Sequence, residues 1–304
     1  MASEMPTARI QPMDFGEILD TAIRVFKSGW KPLLLIGLLS SVPWIIYNAL
    51  SILLMPTRFS EDMLVSNPFF RAVMAADNGD WEQMLGLAGY FALVGLFMAL
   101  LFPWLKGALI IISSRLYLGL PVTVGMGLRL AGRRYFALLG TGLLVLAGSV
   151  AAIIGLTIAG LLFLAWLTVP VGLGVLWVWI IFNRHAMLIE SAGGGMPAIR
   201  RSFGLVNGRF WPLLGLGIVF YLFTATLAGQ IAIISQIPAQ LVLTYTTNES
   251  LVPVLSWVVA AVSGLLQGLV APLYAVGLTL AYYDTRMRKE GLDIEMMAAK
   301  QVGQ

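Results

Sequence analysis

The chain contains no cysteine, and its 304 residues include a single histidine, His185. Without cysteine it can form no disulfide, no thiolate metal site and no thiol nucleophile. One imidazole also excludes metal sites built from several histidines and mechanisms that need two of them. Charge is scarce too, because only 11% of the residues are Asp, Glu, Lys or Arg. We predict no catalytic constellation, no metal site and no cofactor.

Hydrophobic residues make up 59% of the chain, and the mean hydropathy is +0.88. These values lie outside the range of soluble globular proteins and indicate an integral membrane protein. The net charge of +4 comes from basic residues beside apolar runs, without an aromatic-basic recognition motif, so we expect no nucleic-acid partner. A polar N-terminal stretch without a small-residue cleavage site predicts no cleaved signal peptide.

Uncharged stretches long enough to cross a bilayer recur along the chain. A transmembrane helix needs about 20 mostly apolar residues to cross about 30 Å of hydrocarbon. We predict six spans, at 32–54, 84–114, two within 135–183, 212–235 and 255–283. The predicted fold class is therefore an all-α integral membrane protein whose six transmembrane helices form three hairpins.

A short basic amphipathic helix precedes each predicted hairpin. The third has an apolar face made of Ile199, Phe203, Val206 and Phe210. Its other face carries Arg200, Arg201, Gly204 and Gly208. The apolar spacing recurs from Leu19 and from Val124, which predicts three parallel repeats of a surface helix and two spans. A chance match among common residues is the alternative.

We predict a single membrane domain over residues 1–304. Its segments are the tail and first surface helix (1–31), spans one and two with an external loop at 56–82 (32–118), the second surface helix with spans three and four (119–190), the third surface helix with spans five and six (191–283), and a tail (284–304). Loops retained in the cytoplasm are enriched in Lys and Arg. Because 16 of the 19 basic residues lie on one predicted side, both termini and the surface helices are predicted to be cytoplasmic.

Three stretches carry a family resemblance. They are 14–34 (DFGEILDTAIRVFKSGWKPLL), 190–215 (ESAGGGMPAIRRSFGLVNGRFWPLLG) and 271–297 (APLYAVGLTLAYYDTRMRKEGLDIEMM). The chain resembles bacterial membrane proteins named after the glycerophosphodiester phosphodiesterase membrane domain. The resemblance implies a six-span domain of the bacterial cytoplasmic membrane, attached in some members to a soluble phosphodiesterase barrel. Such a barrel needs about 250 residues, and only 284–304 follow the last predicted span, so we expect the family name without the activity.

Four polar residues fall inside predicted spans and are candidate intramembrane sites: Lys106, Gln267, Gln230 and Asn48. Lys106 is predicted to lie roughly 13 Å below the membrane surface, at 1.5 Å per helical residue. Ionisable groups at such depth often mark a pathway, whereas snorkelling, or pairing with a carbonyl freed by Pro103, is the structural alternative. The two glutamines and the asparagine equally suit hydrogen bonds between helices.

Further candidates lie at the cytoplasmic ends of the spans. Five arginines are candidate contacts for lipid headgroups: Arg129, Arg133, Arg134, Arg200 and Arg201. The most specific part of the family resemblance gives a cytoplasmic-end motif: Tyr283, Asp284, Arg286, Arg288 and Glu290. His185 and Glu190 could act as base and acid of an interfacial hydrolase, although no nucleophile motif accompanies them. Gly193–Gly195 suits either an anion at a helix N-terminus or a flexible connector.

The leading functional hypothesis is a non-enzymatic, multi-pass membrane protein that interacts with lipids or serves as a scaffold for a cytoplasmic or membrane protein partner. It depends on three basic surface helices on one side and on the absence of a catalytic motif. A transporter or permease subunit with a polar site at Lys106 is the second hypothesis. An intramembrane lipid hydrolase that uses His185 or Glu190 is the third.

Overall fold

The computed structural model describes residues 11–54, 81–159, 165–245, 254, 258, 261–262, 264–266 and 268–292. Throughout these residues the regular structure is helical, without a strand. The helices are α1 (Phe15–Ser28), α2 (Trp30–Leu54), α3 (Trp81–Tyr117), α4 (Val124–Gly132), α5 (Tyr135–Ala159), α6 (Ala165–Ile180), α7 (Asn183–Ile189), α8 (Met196–Val206), α9 (Phe210–Tyr245) and α10 (Ala271–Glu290). The predicted all-α class is therefore confirmed.

Five helical segments are long and apolar enough to cross a membrane. They are Ala99–Tyr117, Tyr135–Ile158, Leu167–Ile189, Phe210–Ile231 and Gly264–Glu290. The first predicted span lies in α2, where the shorter apolar stretch is Trp30–Val42. The structure thus agrees with a multi-pass helical membrane protein, whereas six spans in three hairpins stay a prediction.

Several helix ends differ from the predicted boundaries. The helix α3 runs through Pro103 without a break, and α9 continues to Tyr245, ten residues beyond the predicted end of span five. Ala, Gln and Leu after Pro238 are good helix formers and sustain that extension. The last helix continues to Glu290, so the predicted boundary at 283 falls inside it. The predicted loop at 56–82 lies mostly outside the described residues, as does the tail beyond 292.

In each predicted repeat, the helix that contains the first predicted span begins at an aromatic residue. The helices α2, α5 and α9 begin at Trp30, Tyr135 and Phe210. The residue three positions further on is buried in each helix, namely Leu33, Leu138 and Leu213. This shared register agrees with the spacing on which the predicted repeat depends. The repeat itself stays a prediction.

The short helices α1 and α8 bury a stripe that coincides only in part with the one that the sequence indicated. The helix α1 buries Ile18, Ala22 and Val25, and α8 buries Ala198, Ser202, Leu205 and Val206. Ile23 and Phe203, from the predicted apolar faces, are each 38% exposed. One stripe of each helix therefore packs on the bundle, while the neighbouring apolar stripe is directed partly outward. Periodicity alone cannot separate two adjoining apolar stripes.

The densest packing lies at the end of the bundle where the short helices sit. Fully buried side chains there include Leu33, Ile36, Leu109, Ile112, Phe182, Leu205, Phe220 and Tyr282. The helices α5 and α9, in contrast, expose many large apolar side chains, among them Leu146, Ile158 and Ile233. A helix surface of this kind suits contact with lipid rather than with water.

Candidate functional site

Two clusters of charged side chains lie at the densely packed end of the bundle. We name the first the Glu190 cluster, which comprises Glu190, Arg201, Tyr282, Arg286 and Glu290. The Glu190 carboxylate, at the end of α7, lies 2.7 Å from Arg201 Nε and 3.3 Å from Arg286 Nε. It also accepts a hydrogen bond from the Tyr282 hydroxyl. The cluster thus links α7 to α8 and α10.

A second carboxylate closes the Glu190 cluster. Glu290 accepts hydrogen bonds from an Arg201 terminal nitrogen at 2.7 Å and from Arg286 Nε at 3.0 Å. Tyr282, Arg286 and Glu290 follow one another at four-residue intervals and therefore share one face of α10. Each carboxylate contacts two arginines, and both arginines contact both carboxylates. This pairing stabilises the charges where they are partly removed from water.

We name the other group the Asp284 cluster, which comprises Met13, Arg209, Asp284 and Arg288. Asp284 is only 3% exposed, and its carboxylate lies 2.9 Å from Arg288 Nε and 3.2 Å from a terminal nitrogen of Arg209. The carboxylate also accepts a 2.9 Å hydrogen bond from the Met13 backbone N–H. Arg288 in turn donates to the Met13 carbonyl at 2.8 Å. The cluster therefore fastens the segment before α1 to α10 and to the start of α9.

The charge states of two arginines follow from these contacts. The hydrogen bond to Glu290 raises the pKa of Arg201 above its ordinary value. Because the pKa is raised on folding, the stabilisation from this pair is complete below the unfolded-state pKa and is lost only at strongly alkaline pH. Burial lowers the pKa of Arg209, and the charge of Asp284 opposes this effect. We therefore expect the Arg201 pairing to be insensitive to pH across the neutral range.

His185 lies behind the Glu190 cluster and does not contact Glu190 directly. The imidazole stacks on the Tyr282 ring, with centroids 5.4 Å apart, and meets Phe182 edge-on at 5.9 Å. Its Nε2 atom is 3.4 Å from the Thr279 hydroxyl, while Nδ1 has no partner among the described residues. Tyr282 thus separates the imidazole from the carboxylate, and the base-and-acid pair considered from the sequence is not formed as a direct contact.

The two candidate intramembrane residues whose side chains the structure describes lie on different helices, α3 and α9. Lys106 is half-buried, and its Nζ lies 5.8 Å from the centroid of the Phe102 ring. Gln230 is exposed on α9. Asn48 lies in α2, although its side chain is outside the description, and Gln267 is outside the described residues altogether. Of the four candidates, Lys106 is the half-buried one among the two whose side chains are described.

The five candidate headgroup arginines divide into two groups. Arg129, Arg133 and Arg200 are exposed, and their side chains have no hydrogen-bond or ion-pair partner in the part of the chain that the structure describes. Arg134 donates to the Met187 carbonyl at 3.1 Å, and Arg201 belongs to the Glu190 cluster. Only the first three arginines are thus unpaired and accessible.

The cytoplasmic-end motif is divided between the two clusters. Arg286 and Glu290 belong to the first and Asp284 and Arg288 to the second, while the Tyr283 hydroxyl lies 2.7 Å from the Ser114 hydroxyl. Sequence reasoning missed the roles of Tyr282, Arg209, Lys289 and Met13. Lys289 donates to the carbonyls of Gly204 and Asn207, at 2.6 and 2.5 Å, near the C-terminal end of α8. The four-residue spacing of Tyr282, Arg286 and Glu290 on α10 could have indicated the role of Tyr282. The neighbouring sequence gives no comparable indication for Met13.

The Gly193–Gly195 segment packs closely against the bundle instead of extending freely from it. A Cβ atom at Gly194 would lie 2.7 Å from the Ala137 Cβ. The Gly195 N–H donates to the Thr141 hydroxyl at 2.7 Å, and Gly195 has a positive φ of 73°. These glycines are therefore needed for a close approach and a left-handed backbone. They position α8 against α5.

Tyr282→Phe tests the hydrogen bond to Glu190. The substitution removes one donor from a buried carboxylate and should destabilise the protein by about 1–2 kcal/mol. The measurement is the free energy of unfolding of the purified protein in detergent. Tyr117→Phe is the matched control, because the buried Tyr117 hydroxyl has no partner among the described residues, and its removal should leave stability unchanged or slightly increased. Equal effects of the two substitutions would contradict the assignment.

Comparison of the chain with protein-family models, with curated proteins and with solved structures gives no match. The resemblance to the glycerophosphodiester phosphodiesterase membrane-domain family accordingly stays a prediction. Within the described residues, moreover, no group of three or more His, Asp or Glu side chains is placed to hold a metal ion. The function has to be argued from the arrangement of the charged and aromatic side chains.

Proposed function

We propose that this chain is a non-enzymatic, multi-pass protein of the bacterial cytoplasmic membrane that gathers anionic lipids at its basic end and serves there as a scaffold for a partner protein. One observation carries the proposal. Exposed aromatic side chains stand at the starts of α2, α5 and α9, where Trp30 is 50%, Phe136 is 84% and Trp211 is 77% exposed. Aromatic side chains in this position are typical of a membrane–water interface.

Unpaired cations stand close to these aromatic residues in the sequence. Lys31 follows Trp30, and its ammonium lies 5.7 Å from the centroid of the indole ring. Arg133 comes shortly before Phe136, and Arg129 lies one turn earlier on α4. Basic groups near a bilayer surface attract anionic headgroups by about 1 kcal/mol each. The aromatic residues and the arginines together favour a protein whose basic end contacts anionic lipid.

The internal ion pairs support the non-enzymatic part of the proposal. The carboxylates of Glu190, Asp284 and Glu290 are each bound by two arginines, so their pairing stabilises helix contacts and leaves them poorly suited to proton transfer. A rigid, ion-paired end also suits a protein that presents a fixed surface to a partner. The cytoplasmic orientation of this end follows from the distribution of Lys and Arg in the sequence.

The test uses quenching of tryptophan fluorescence by brominated lipids. In nanodiscs of mixed phosphatidylglycerol and phosphatidylcholine, brominated phosphatidylglycerol should quench the tryptophan fluorescence more strongly than the same content of brominated phosphatidylcholine. Substitution of Arg129, Arg133 and Arg200 by Gln should lower the preference for the anionic lipid about fivefold, as expected when roughly 1 kcal/mol per basic residue is partly lost. High salt should also lower the preference of the unaltered protein for the anionic lipid, since salt screens exposed charges.

Two results would count against the proposal. Equal quenching of the unaltered protein by both lipids would remove the lipid-gathering role. Hydrolysis of glycerophosphodiesters or phospholipids by the purified protein alone would overturn its non-enzymatic part. A soluble partner protein retained by the reconstituted chain, and lost after disruption of the Glu190 cluster, would support the scaffold.

A further inference from the structure

Lys106 lies near the start of α5. A Cβ atom on the neighbouring Gly107 would lie 3.0 Å from Leu138 Cδ1 and 3.4 Å from Leu188 Cδ1. Leu138 comes only three residues after the start of α5, which is about 5 Å along a helix. Lys106 therefore lies within about one helical turn of the start of α5, the end that the proposed function assigns to the membrane–water interface.

Arg184 is placed beside Lys106 by α7. Arg184 and Leu188 are four residues apart and share one face of that helix, and Leu188 is one of the residues beside Gly107. Besides their shared burial, the charges of Arg184 and Lys106 lie close enough to repel each other. Both side chains are half-buried. Two like charges from α3 and α7 thus face one region near the interface.

No carboxylate of the described residues balances these two cations. Glu190 and Glu290 are taken by Arg201 and Arg286, and Asp284 is taken by Arg209 and Arg288. Across the described ranges, neither Lys106 nor Arg184 makes a side-chain hydrogen bond or ion pair, and the contact of Lys106 is with the Phe102 ring. Half-buried like charges repel each other and lose hydration, so the arrangement is unfavourable until an anion lies between them.

We propose that Lys106 and Arg184 form a binding site for a phosphate group, supplied by the headgroup of an anionic phospholipid. Arginine binds phosphate oxygens through paired N–H donors, and lysine adds a compact positive charge. The Phe102 ring, 5.8 Å from Lys106 Nζ, offers apolar surface beside the charged groups. The inference rests on the membrane placement given under the proposed function and names a site distinct from the exposed arginines.

Lipid binding to the purified protein in detergent, followed by native mass spectrometry, tests the site. The unaltered protein should retain one phosphatidylglycerol more tightly than diacylglycerol, which lacks the phosphate. Lys106→Gln with Arg184→Gln should weaken this binding at least tenfold, since hydrogen bonds to charged groups contribute roughly 1.5–3 kcal/mol and about 1.4 kcal/mol corresponds to a factor of ten. Unchanged binding in the double variant would overturn the proposal.

The matched control is Arg129→Gln with Arg133→Gln, which removes the same charge from the exposed surface of the same end. It should leave binding of the single tight lipid unchanged while lowering the general preference for anionic lipid. The two proposals can therefore fail separately. If the control weakened the tight lipid as much as Lys106→Gln with Arg184→Gln, headgroup attraction would be general and the specific site would be wrong.

Two further measurements separate the source of the phosphate from a purely structural role. Displacement of the bound lipid by millimolar inorganic phosphate would show that the site also takes free phosphate, while the absence of displacement would assign it to lipid. Either result retains a phosphate site. In lipid-free detergent, Lys106→Gln with Arg184→Gln should leave the thermal midpoint unchanged or raised, because two unpaired cations are removed. If Lys106→Gln with Arg184→Gln lowered the thermal midpoint, and Lys106→Arg in place of Lys106→Gln did not restore it, the proposal would be contradicted.

Discussion

Asp284→Asn should destabilise the protein by about 3 kcal/mol, the lower end of the range for removing one partner of a buried ion pair. The substitution keeps the size of the side chain and removes its charge. Arg209 would then lose its counter-charge, and Arg288 would keep only the exposed Asp14, 4.0 Å away; the two arginine side chains are 22% and 36% exposed. Because both arginines keep some hydration, the cost should be nearer 3 than 5 kcal/mol. The free energy of unfolding in detergent measures it.

Asp20→Asn is the matched control for this prediction. Asp20 is exposed on α1, so the same chemical change there should alter stability by less than about 0.5 kcal/mol, as is usual for surface positions. Amide exchange gives a second measurement, since the N–H of Met13 donates to Asp284. Exchange at Met13 should become faster in Asp284→Asn and stay slow in Asp20→Asn. Similar stability losses in both variants would show that Asp284 has no special structural role.

Two ion pairs of the clusters could be predicted from the sequence, because they are local. Asp284 with Arg288, and Arg286 with Glu290, are four residues apart on one helix, a spacing that favours ion pairs. The remaining contacts join distant parts of the chain. Glu290 and Arg201 are 89 residues apart, and Met13 and Asp284 are 271 apart. Such pairs follow from how the helices pack, which no local pattern specifies.

The helices themselves were easier to predict than the faces that they bury. Uncharged length and the position of basic residues indicated helices beginning near Trp30, Tyr135 and Phe210, where the structure has them. In a chain this apolar, however, several stripes of one helix are hydrophobic. Burial of Ile18 and Ala22 in place of Ile23 depends on the neighbouring helices. The choice between two apolar stripes belongs to tertiary packing.

The ion-paired clusters and the pair of unpaired cations have different roles within one end of the bundle. Arg201 and Arg286 are held by carboxylates and join the helices. Lys106 and Arg184 lack such partners among the described residues and are positioned by the same packing. Loosening the clusters should therefore weaken phosphate binding indirectly, by moving α7 relative to α3. On this proposal the two clusters hold the helices in place, and the Lys106–Arg184 pair binds the phosphate.

Gly37→Ala should destabilise the protein by about 2–3 kcal/mol, the size of an overpacking effect. A Cβ atom at Gly37 would lie 2.3 Å from the backbone carbonyl oxygen of Gly268. Gly268 in turn approaches the Gly37 carbonyl oxygen, since its own Cβ atom would lie 2.6 Å from it. Because the methyl group would meet a backbone atom and the rigid ring of Pro272, at 2.8 Å, no rotamer change can relieve the clash, and α2 must separate from the last helical segment.

The corresponding positions of the predicted repeat provide matched controls. At Gly217 the added methyl would meet the Trp177 ring at 2.6 Å, and at Gly142 the nearest atom is a side-chain carbon of Pro103 at 4.0 Å. A side chain can move where backbone cannot, so the loss of stability should decrease from Gly37→Ala to Gly217→Ala to Gly142→Ala. The last substitution should be neutral or stabilising by up to about 1 kcal/mol, the intrinsic helix preference of Ala over Gly. Equal losses at the three positions would mean that helix propensity, and not close backbone approach, determines what each glycine does.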